Sequence, residues 1–308
     1  LLFENGKITV DKKSPEDRFG ILLHEEAKLF SSSVGKTIVS YVLGNAVCEG
    51  YIDGVNSKID DWPLIKNTLY DGQKIIDVIN MSAGDQEYIN IKERVKKTGN
   101  TAGNYTIKYL MEEIFKNSTK KKQKWNYSGL PAPLINNYIW FKSNGYYQKI
   151  LDKTFKEKAK IKHSVQFRTK KYEKNYEDRI ATYEDGILDS HFWATRYDYL
   201  RIAKAMLDDW QNDTCVGKYL KTVFNNRVNK NYQGTVDNNS NWFNPKQYAG
   251  FFHTGYTGMK DRAVMGMDGN GGQSIMIDFD RGRIIVINSI HTTYNWRKIA
   301  HSVIKNGN

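Results

Sequence analysis

The chain has 308 residues, enough for one large domain or for two lobes that share a substantial core. Hydrophobic residues make up 40% of the chain, and no run of eighteen apolar residues occurs, which excludes a membrane-spanning helix. Two cysteines, Cys48 and Cys215, are too few for a disulfide framework and have no metal-binding spacing, although they could form one bridge. The six histidines form no metal-binding motif either. The sequence begins at Leu1 without a signal-peptide pattern, as a processed or trimmed product would, so it predicts no compartment.

The net charge is +12, from 46 basic and 34 acidic residues. Much of the basic excess falls in residues 116–124 and 142–174, and not along one aromatic-studded strand or recognition helix. Such a surface could attract nucleic acid or an anionic polymer of the cell envelope. A solvated, lysine-rich face is the better interpretation of this pattern, so we expect no nucleic-acid partner.

The N-terminal half begins with a hairpin and continues mostly with helices. Residues 1–10 form two short strand-like runs around Asn5-Gly6, the strongest short hairpin pattern. Apolar residues then recur at helical spacing after Ser31, Ser32 and Ser33, which could cap the helix that they precede. The periodicity predicts helices over residues 33–48, 74–81, 106–115 and 130–141, with a charged loop over residues 116–124.

The C-terminal half changes from helix to strand. Residues 152–185 are charged and weakly periodic, a helix follows over residues 196–210, and apolar runs at 273–279 and 283–288 form a second hairpin. A last helix is predicted over residues 294–304. Hairpins at both ends with helices between them indicate an α/β (α+β) fold, in which one antiparallel sheet built from both termini is flanked by helices.

The first helix contains a Ser-x-x-Lys pattern at Ser33 and Lys36. Residues three apart share a helix face, so the Lys36 amine can reach the Ser33 hydroxyl. Serine is a weak nucleophile until a neighbouring base takes its proton, and lysine can act as that base when burial and nearby positive charge lower its pKa. The positive end of the helix would also favour a developing alkoxide.

Two other interpretations of this stretch compete with a nucleophile and its base. Gly35-Lys36-Thr37 is similar to the end of a phosphate-binding loop, but that motif needs a glycine where Phe30 stands. Alternatively, Ser33 only caps the helix and Lys36 is a solvated lysine of the first turn. The pattern alone favours this second interpretation, and the residues downstream decide against it.

Three downstream segments carry groups that could complete such a site. Tyr127, within residues 125–129, can pass a proton to a leaving group. The glycine-rich residues 266–273 lead into a strand whose backbone N–H could pair with that of Ser33 in an oxyanion hole, unless they form only a flexible hairpin loop. His253-Thr254-Gly255 resembles Lys-Thr-Gly with histidine in place of lysine.

Ser33-x-x-Lys36, Met81-Ser82-Ala83-Gly84, Tyr127-Ser128 and Gly271-Gly272-Gln273 follow one another in the order seen in serine β-lactamase-like hydrolases. This superfamily includes penicillin-binding DD-peptidases, class C β-lactamases, related esterases and the 6-aminohexanoate-dimer hydrolases. The sequence most resembles the last group, and the resemblance extends over nearly the whole chain.

The resemblance implies a serine hydrolase that forms an acyl-enzyme on a small ester or amide substrate, without metal or organic cofactor. Ser33 would be the nucleophile, Lys36 its base and Tyr127 the proton shuttle, and the N–H groups of Ser33 and Asn270 would hold the oxyanion. The expected oxyanion and substrate-binding residues are Asn270, Gly271, Gly272 and Gln273, with His253 as an alternative.

The departures from the β-lactamase pattern argue against efficient β-lactam hydrolysis. Tyr127-Ser128-Gly129 stands where β-lactamases have Tyr-x-Asn, and Lys-Thr-Gly is absent unless His253-Thr254-Gly255 takes its place. A β-lactamase or DD-peptidase, and a non-catalytic binding protein of the same fold, are the alternative functions. The resemblance also implies a sheet lobe of residues 1–50 and 185–308 and a mainly helical insertion of residues 51–184, with the site between them. It leaves open the oligomeric state and whether a bacterial periplasm, envelope or cytoplasm holds the protein.

Overall fold

A computed structural model of the chain describes residues 1–89, 105–170, 183–230, 245–289 and 296–307. Parts of the charged region predicted to be weakly periodic (171–182) and the first residues of the predicted last helix (294–295) lie outside these ranges. The described strands are β1 (Leu2–Glu4), β2 (Lys7–Val10), β3 (Leu29–Phe30), β4 (Lys58–Ile59), β5 (Gln73–Lys74), β6 (Trp193–Ala194), β7 (Val228–Asn229), β8 (Gln247–Ala249), β9 (Phe252–Thr254), β10 (Val264–Gly269), β11 (Gln273–Asp278) and β12 (Arg283–Ile287).

The described helices are α1 (Val34–Cys48), α2 (Ile75–Ile79), α3 (Gln86–Ile89), α4 (Ile107–Tyr109), α5 (Pro131–Lys142), α6 (Tyr147–Asp152), α7 (Arg196–Gln211), α8 (Cys215–Asn225) and α9 (Trp296–Asn306). π-Helical turns extend α4 through Leu110–Ile114 and α6 through Lys153–Lys158, and short 3₁₀ turns occupy Glu16–Arg18, Gly20–Leu22, Pro63–Ile65 and Tyr183–Asp185. None of the helices in the described ranges has the length and apolar character needed to cross a bilayer.

The main sheet has eight described strands in the order β2-β1-β12-β11-β10-β9-β8-β7, and the pairings between neighbouring strands are antiparallel. The N-terminal hairpin is confirmed: β1 and β2 enclose Asn5 and Gly6, which both have positive φ, as a type I′ turn requires. It joins the sheet through β12, where Leu2 lies opposite Ile285. One antiparallel sheet therefore draws on both ends of the chain, as the sequence predicts.

Alternate residues of the central strands point to opposite faces of this sheet. Ile275 and Ile277 of β11 belong to the larger apolar core, whereas Met276 between them belongs to a smaller core with Ile304 of α9. This period of two buries both faces, because α1 and α7 contact one side and α9 covers the other. The mixed α/β fold with an antiparallel sheet flanked by helices is thereby confirmed.

Helix α1 is the most deeply buried helix of the described chain, with every residue from Val34 to Ala46 buried. It contacts the sheet at β10 and β11 and the helices α5 and α8. The pattern predicted this helix at nearly its observed bounds. A helix that is buried on all sides holds its first turn in a fixed place, which matters for the serine that precedes it.

The structure differs from the sequence prediction at several elements. The helix predicted over 74–81 ends at Ile79, because Met81 has a positive φ of 52° and turns the chain toward Gly84. Helix α8 and the short strands β7, β8 and β9 were not predicted. Of residues 266–273, considered as a possible flexible hairpin loop, the first four belong to strand β10 (Val264–Gly269). The division into lobes at residues 50 and 185 stays a prediction.

Candidate active site

The three serines before α1 form a tight turn that presents Ser33 at the start of the helix. Ser32 has a positive φ of 46°, an uncommon conformation for a residue with a side chain. The backbone N–H groups of Val34 and Gly35 donate to the carbonyls of Ser31 and Ser32, each at 3.1 Å. The Ser31 hydroxyl accepts a hydrogen bond from the N–H of Phe192 at 3.0 Å, which ties the turn to the residue that precedes β6.

The Ser33 hydroxyl does not cap the helix as the sequence suggested it could, since it makes no capping hydrogen bond. Its Oγ instead accepts a hydrogen bond from Nζ of Lys36 at 2.7 Å. Lys36 is 5% exposed, so it is not the solvated lysine of the competing interpretation. The Ser33 hydroxyl and the Lys36 amine thus lie in hydrogen-bond contact at the positive end of a buried helix.

Gly35 allows a second segment to pass close to this turn. A Cβ atom at Gly35 would lie 1.9 Å from the carbonyl oxygen of Ser190, so no larger side chain fits. Ser190 follows Asp189, whose carboxylate is bound by Arg168 and by Nδ1 of His191 at 2.9 Å. These cationic and hydrogen-bonding partners hold the pKa of Asp189 well below its usual range, although its burial acts in the opposite direction. The carboxylate therefore anchors the segment that supports the Ser33 turn.

Tyr127 lies beside the Lys36 amine, in a stretch without regular secondary structure. Its ring centroid is 5.2 Å from Nζ of Lys36, and the residue is 36% exposed. The preceding residue is fixed by a hydrogen bond from the Asn126 N–H to the Met81 carbonyl at 2.8 Å. The segment 81–84 noted in the sequence thus helps to place Tyr127.

The glycine-rich hairpin between β10 and β11 reaches the same turn from the sheet. A Cβ atom at Gly269 would lie 2.8 Å from the Ser31 carbonyl oxygen and 3.0 Å from Cβ of Ser32. Asn270, Gly271 and Gly272 form the loop, in which both glycines have positive φ near 85°. The end of β10 therefore abuts the serine turn that precedes α1, and Asn270 is the residue that follows β10.

Gln273 has another role in the hairpin than the one expected for a substrate-binding side chain. Its Nε2 donates to the carbonyl of Ser289 at 2.5 Å, and its Oε1 accepts from Nδ2 of Asn288 at 2.9 Å. These bonds connect the start of β11 to the chain that leaves β12. A contact of Gln273 with substrate stays a prediction.

His253, the alternative substrate-binding residue, faces Tyr127 from strand β9. The two rings are stacked, with centroids 6.2 Å apart and an angle of 20° between their planes. Nδ1 of His253 lies 2.6 Å from Nζ of Lys230, which is 5% exposed. Burial, and then the positive charges of Lys230, Arg297 and Lys36, lower the pKa of His253 well below its ordinary value.

Two aromatic side chains also lie near the amine of Lys230. Its Nζ lies 5.2 Å from the ring centroid of Trp125 and 5.8 Å from that of Tyr248. No sequence pattern singled out Lys230, because it follows a two-residue strand in a lysine- and asparagine-rich stretch. The structure brings together Ser33, Lys36, Tyr127, the end of β10 and His253, and it adds Lys230.

Comparison with solved structures identifies the fold. Over 99% of this chain and 79% of the other, the structure superposes on a provisionally assigned 6-aminohexanoate-dimer hydrolase from Bacillus anthracis, with a TM-score of 0.63 and 14% identity. A penicillin-binding protein from Bacillus halodurans matches over 98% of this chain and 94% of its own, with a TM-score of 0.62 and 12% identity. The chain has the β-lactamase/transpeptidase fold.

A third solved structure of this fold is a class C β-lactamase from Rhodobacter sphaeroides, which matches over 98% of this chain and 91% of its own. Its TM-score is 0.60 and its identity 12%. No family model matches the sequence, and no curated protein matches it significantly. The likeness is therefore one of fold, and the function has to be argued from the site.

Proposed function

We propose that the protein is a serine hydrolase that cleaves an ester or amide through an acyl-enzyme on Ser33. The observation that carries the proposal is the 2.7 Å contact between Lys36 Nζ and Ser33 Oγ at the start of buried helix α1. Solved structures of the same fold that carry the names of hydrolases support it, among them the provisionally assigned 6-aminohexanoate-dimer hydrolase and the class C β-lactamase.

In the first step, Ser33 Oγ attacks the substrate carbonyl carbon and its proton passes to an uncharged Lys36 amine. The carbonyl oxygen gains the negative charge, which the N–H groups of Ser33 and Asn270 would hold; each such donor contributes about 3–4 kcal/mol to the transition state. The carbonyl–leaving-group bond then breaks, and the leaving group takes a proton by way of Tyr127. This step leaves an ester between Ser33 and the acyl group.

In the second step, a water molecule gives up a proton to the Tyr127–Lys36 pair and attacks the acyl carbon. The bond to Ser33 Oγ breaks, the serine regains its proton, and the acid is released. Tyr127 suits the shuttle because its ring lies beside the Lys36 amine and is partly exposed, so it can contact a substrate that enters from solvent.

The test is intact-mass spectrometry after incubation with a fluorophosphonate, a short p-nitrophenyl ester and a penicillin, each added separately. We expect a fluorophosphonate adduct on Ser33 and turnover of the ester, both lost in Ser33→Ala. A neighbouring serine provides a matched control: Ser32→Ala removes a hydroxyl of the same turn and should keep the adduct.

The other outcomes separate the alternative functions. A lasting penicillin adduct on Ser33 would place the protein with β-lactam-reactive enzymes and overturn the esterase or amidase assignment. Absence of any adduct in a folded protein would overturn the hydrolase function itself and leave a binding protein of the same fold. Salt-sensitive binding of an anionic polymer by that folded protein would favour this last function.

A further inference from the structure

The contact between Lys230 and His253 defines the state of the imidazole. The 2.6 Å separation places Lys230 Nζ and His253 Nδ1 within hydrogen-bond distance, and when Lys230 is an ammonium, which has three donors and no acceptor, Nδ1 is the acceptor. The imidazole then carries its one ring proton on Nε2. A doubly protonated imidazolium could not make this contact, because both of its nitrogens are donors.

The surroundings of the pair favour the same state. Lys230 and His253 are 5% and 9% exposed, and the aromatic rings of Trp125 and Tyr248 lie against the lysine amine. The groups whose charge lowers the pKa of His253 are Lys230, Arg297 and Lys36, all three of them basic side chains. A further positive charge on the imidazole would be buried beside these basic groups, and no carboxylate of the described residues acts on His253 to offset it.

We propose that Lys230 is a positioning residue of the active site, which acts through His253 by holding the imidazole uncharged, with its proton on Nε2, against the ring of Tyr127. The stacked rings lie 6.2 Å apart, and Lys36 faces the same tyrosine ring at 5.2 Å. Tyr127 therefore lies between the Lys36 amine and the imidazole of His253. Without Lys230, the imidazole loses the donor that fixes its tautomer and a charge that opposes its protonation.

The proposal deepens the proposed function, on which its kinetic part rests, but its structural part can be tested alone. Nitrogen-15 NMR of the histidine side chains reports which ring nitrogen carries the proton, and His253→Gln identifies the His253 signals by their loss. In the wild-type protein we expect the Nε2–H tautomer from about pH 6 to about pH 8. An Nδ1–H tautomer, or a protonated ring at neutral pH, would overturn the proposal.

Lys230→Met removes the charge and keeps a side chain of similar length, and Lys230→Arg is the conservative control that restores a charged donor. In the methionine variant we expect a mixture of tautomers and a protonation midpoint at higher pH than in the wild type, though burial still keeps it below about 6.5. The arginine variant should keep the wild-type tautomer. Unchanged spectra in folded Lys230→Met would contradict the proposal.

The kinetic readout is the pH profile of kcat/KM for an ester that labels Ser33. For Lys230→Met we expect a loss on the acid side, about tenfold for each pH unit that the His253 midpoint lies above the assay pH. Activity near pH 8 should stay close to that of the wild type. An unchanged profile alongside altered NMR spectra would refute a role in the reaction, whereas absence of labelling in all variants would refute the proposed function and leave the tautomer result standing.

Discussion

The Ser33 hydroxyl lies where a helix cap would be, yet its hydrogen bond comes from a side chain one helical turn away. Lys36 cannot move far from it, because the stem of the lysine is buried with the rest of α1. The proposed reaction therefore depends on the three-residue spacing between Ser33 and Lys36.

Removing the Lys36 amine should slow acylation without displacing Ser33. Lys36→Met preserves much of the side-chain volume and removes the base, and a positioned base typically contributes about 10²- to 10⁴-fold to such a step. We expect a fall of this size in the rate of fluorophosphonate labelling, measured by stopped aliquots and mass spectrometry. Labelling at the wild-type rate would show that another group accepts the serine proton.

His253 should make the stability of the protein depend on pH below neutrality. Because its pKa is lowered in the folded state, the unfolded chain binds a proton first as pH falls below about 6.5. The stabilisation by the neutral ring is thus complete above that pH and is lost as pH falls, by at most about 1.4 kcal/mol per pH unit.

The comparison is between the wild type and His253→Gln, with unfolding by denaturant followed at pH 7 and pH 5. The wild type should lose more free energy of unfolding between these two pH values than the variant does. Subtracting the pH-dependent change in the variant's free energy of unfolding from that of the wild type removes the contribution of all other titrating groups. If wild type and variant lost the same free energy of unfolding between pH 7 and pH 5, the imidazole would have an ordinary pKa in the folded protein.

At the scale of elements, Gly35 shows that the start of α1 is shaped by its neighbour and not by helix propensity. Alanine inside a helix is usually more favourable than glycine by about 1 kcal/mol. Here the added methyl group would lie 1.9 Å from the Ser190 carbonyl oxygen, which belongs to backbone and cannot rotate away.

Gly35→Ala should therefore destabilise the protein, by about 1–3 kcal/mol as is typical of overpacked sites, and should lower labelling of Ser33 as well. The measurement is chemical denaturation together with the fluorophosphonate rate. The control is Ser40→Ala. Ser40 is also a residue of α1, and the substitution removes a hydrogen bond to the Tyr219 hydroxyl. An increase in stability for Gly35→Ala would show that propensity decides after all.

The elements that could be predicted from the sequence are those with a strong local pattern. Helix α1 has continuous apolar spacing after three serines, and the Asn5-Gly6 hairpin has a turn that few other residues can form. The Ser33–Lys36 contact follows from helix geometry alone. Each of these features depends on residues that are close in the chain.

Elements that depend on distant neighbours could not be predicted. Strands β7, β8 and β9 have two or three residues each, too few for an alternating pattern, and they exist because they extend the sheet beyond β10. Their register places His253 opposite Gly266 and brings Lys230 to the imidazole. The Lys230 contact was invisible in the sequence for this reason.

At the scale of the whole molecule, a disulfide between Cys48 and Cys215 joins the last residue of α1 to the first residue of α8. The sequence left this pairing open. The bridge closes a loop between residues 167 apart, and a disulfide stabilises chiefly by restricting the unfolded chain. Helix α1 is thereby fixed at the end opposite to Ser33.

Replacing both cysteines by serine should lower the free energy of unfolding by about 2–4 kcal/mol. The measurement is denaturant unfolding of the double variant, with the wild type in reducing agent as the matched comparison. Both should unfold at the same lower denaturant concentration, and labelling of Ser33 before unfolding should change little. A double variant as stable as the oxidised wild type would mean that the bridge does not form in solution.

The order of strands in the sheet also bears on how the protein is made. Ser33 is synthesised before the strand that abuts its turn, β10, which ends at Gly269, and β1 has no partner on one side until β12 is synthesised. During synthesis helix α1 therefore lacks the strand that abuts its first turn until β10 is complete. Such long-range pairing slows folding and leaves apolar strands uncovered while the chain grows. Any nascent fragment that stops short of the last hairpin should thus carry the serine and the lysine but no working site.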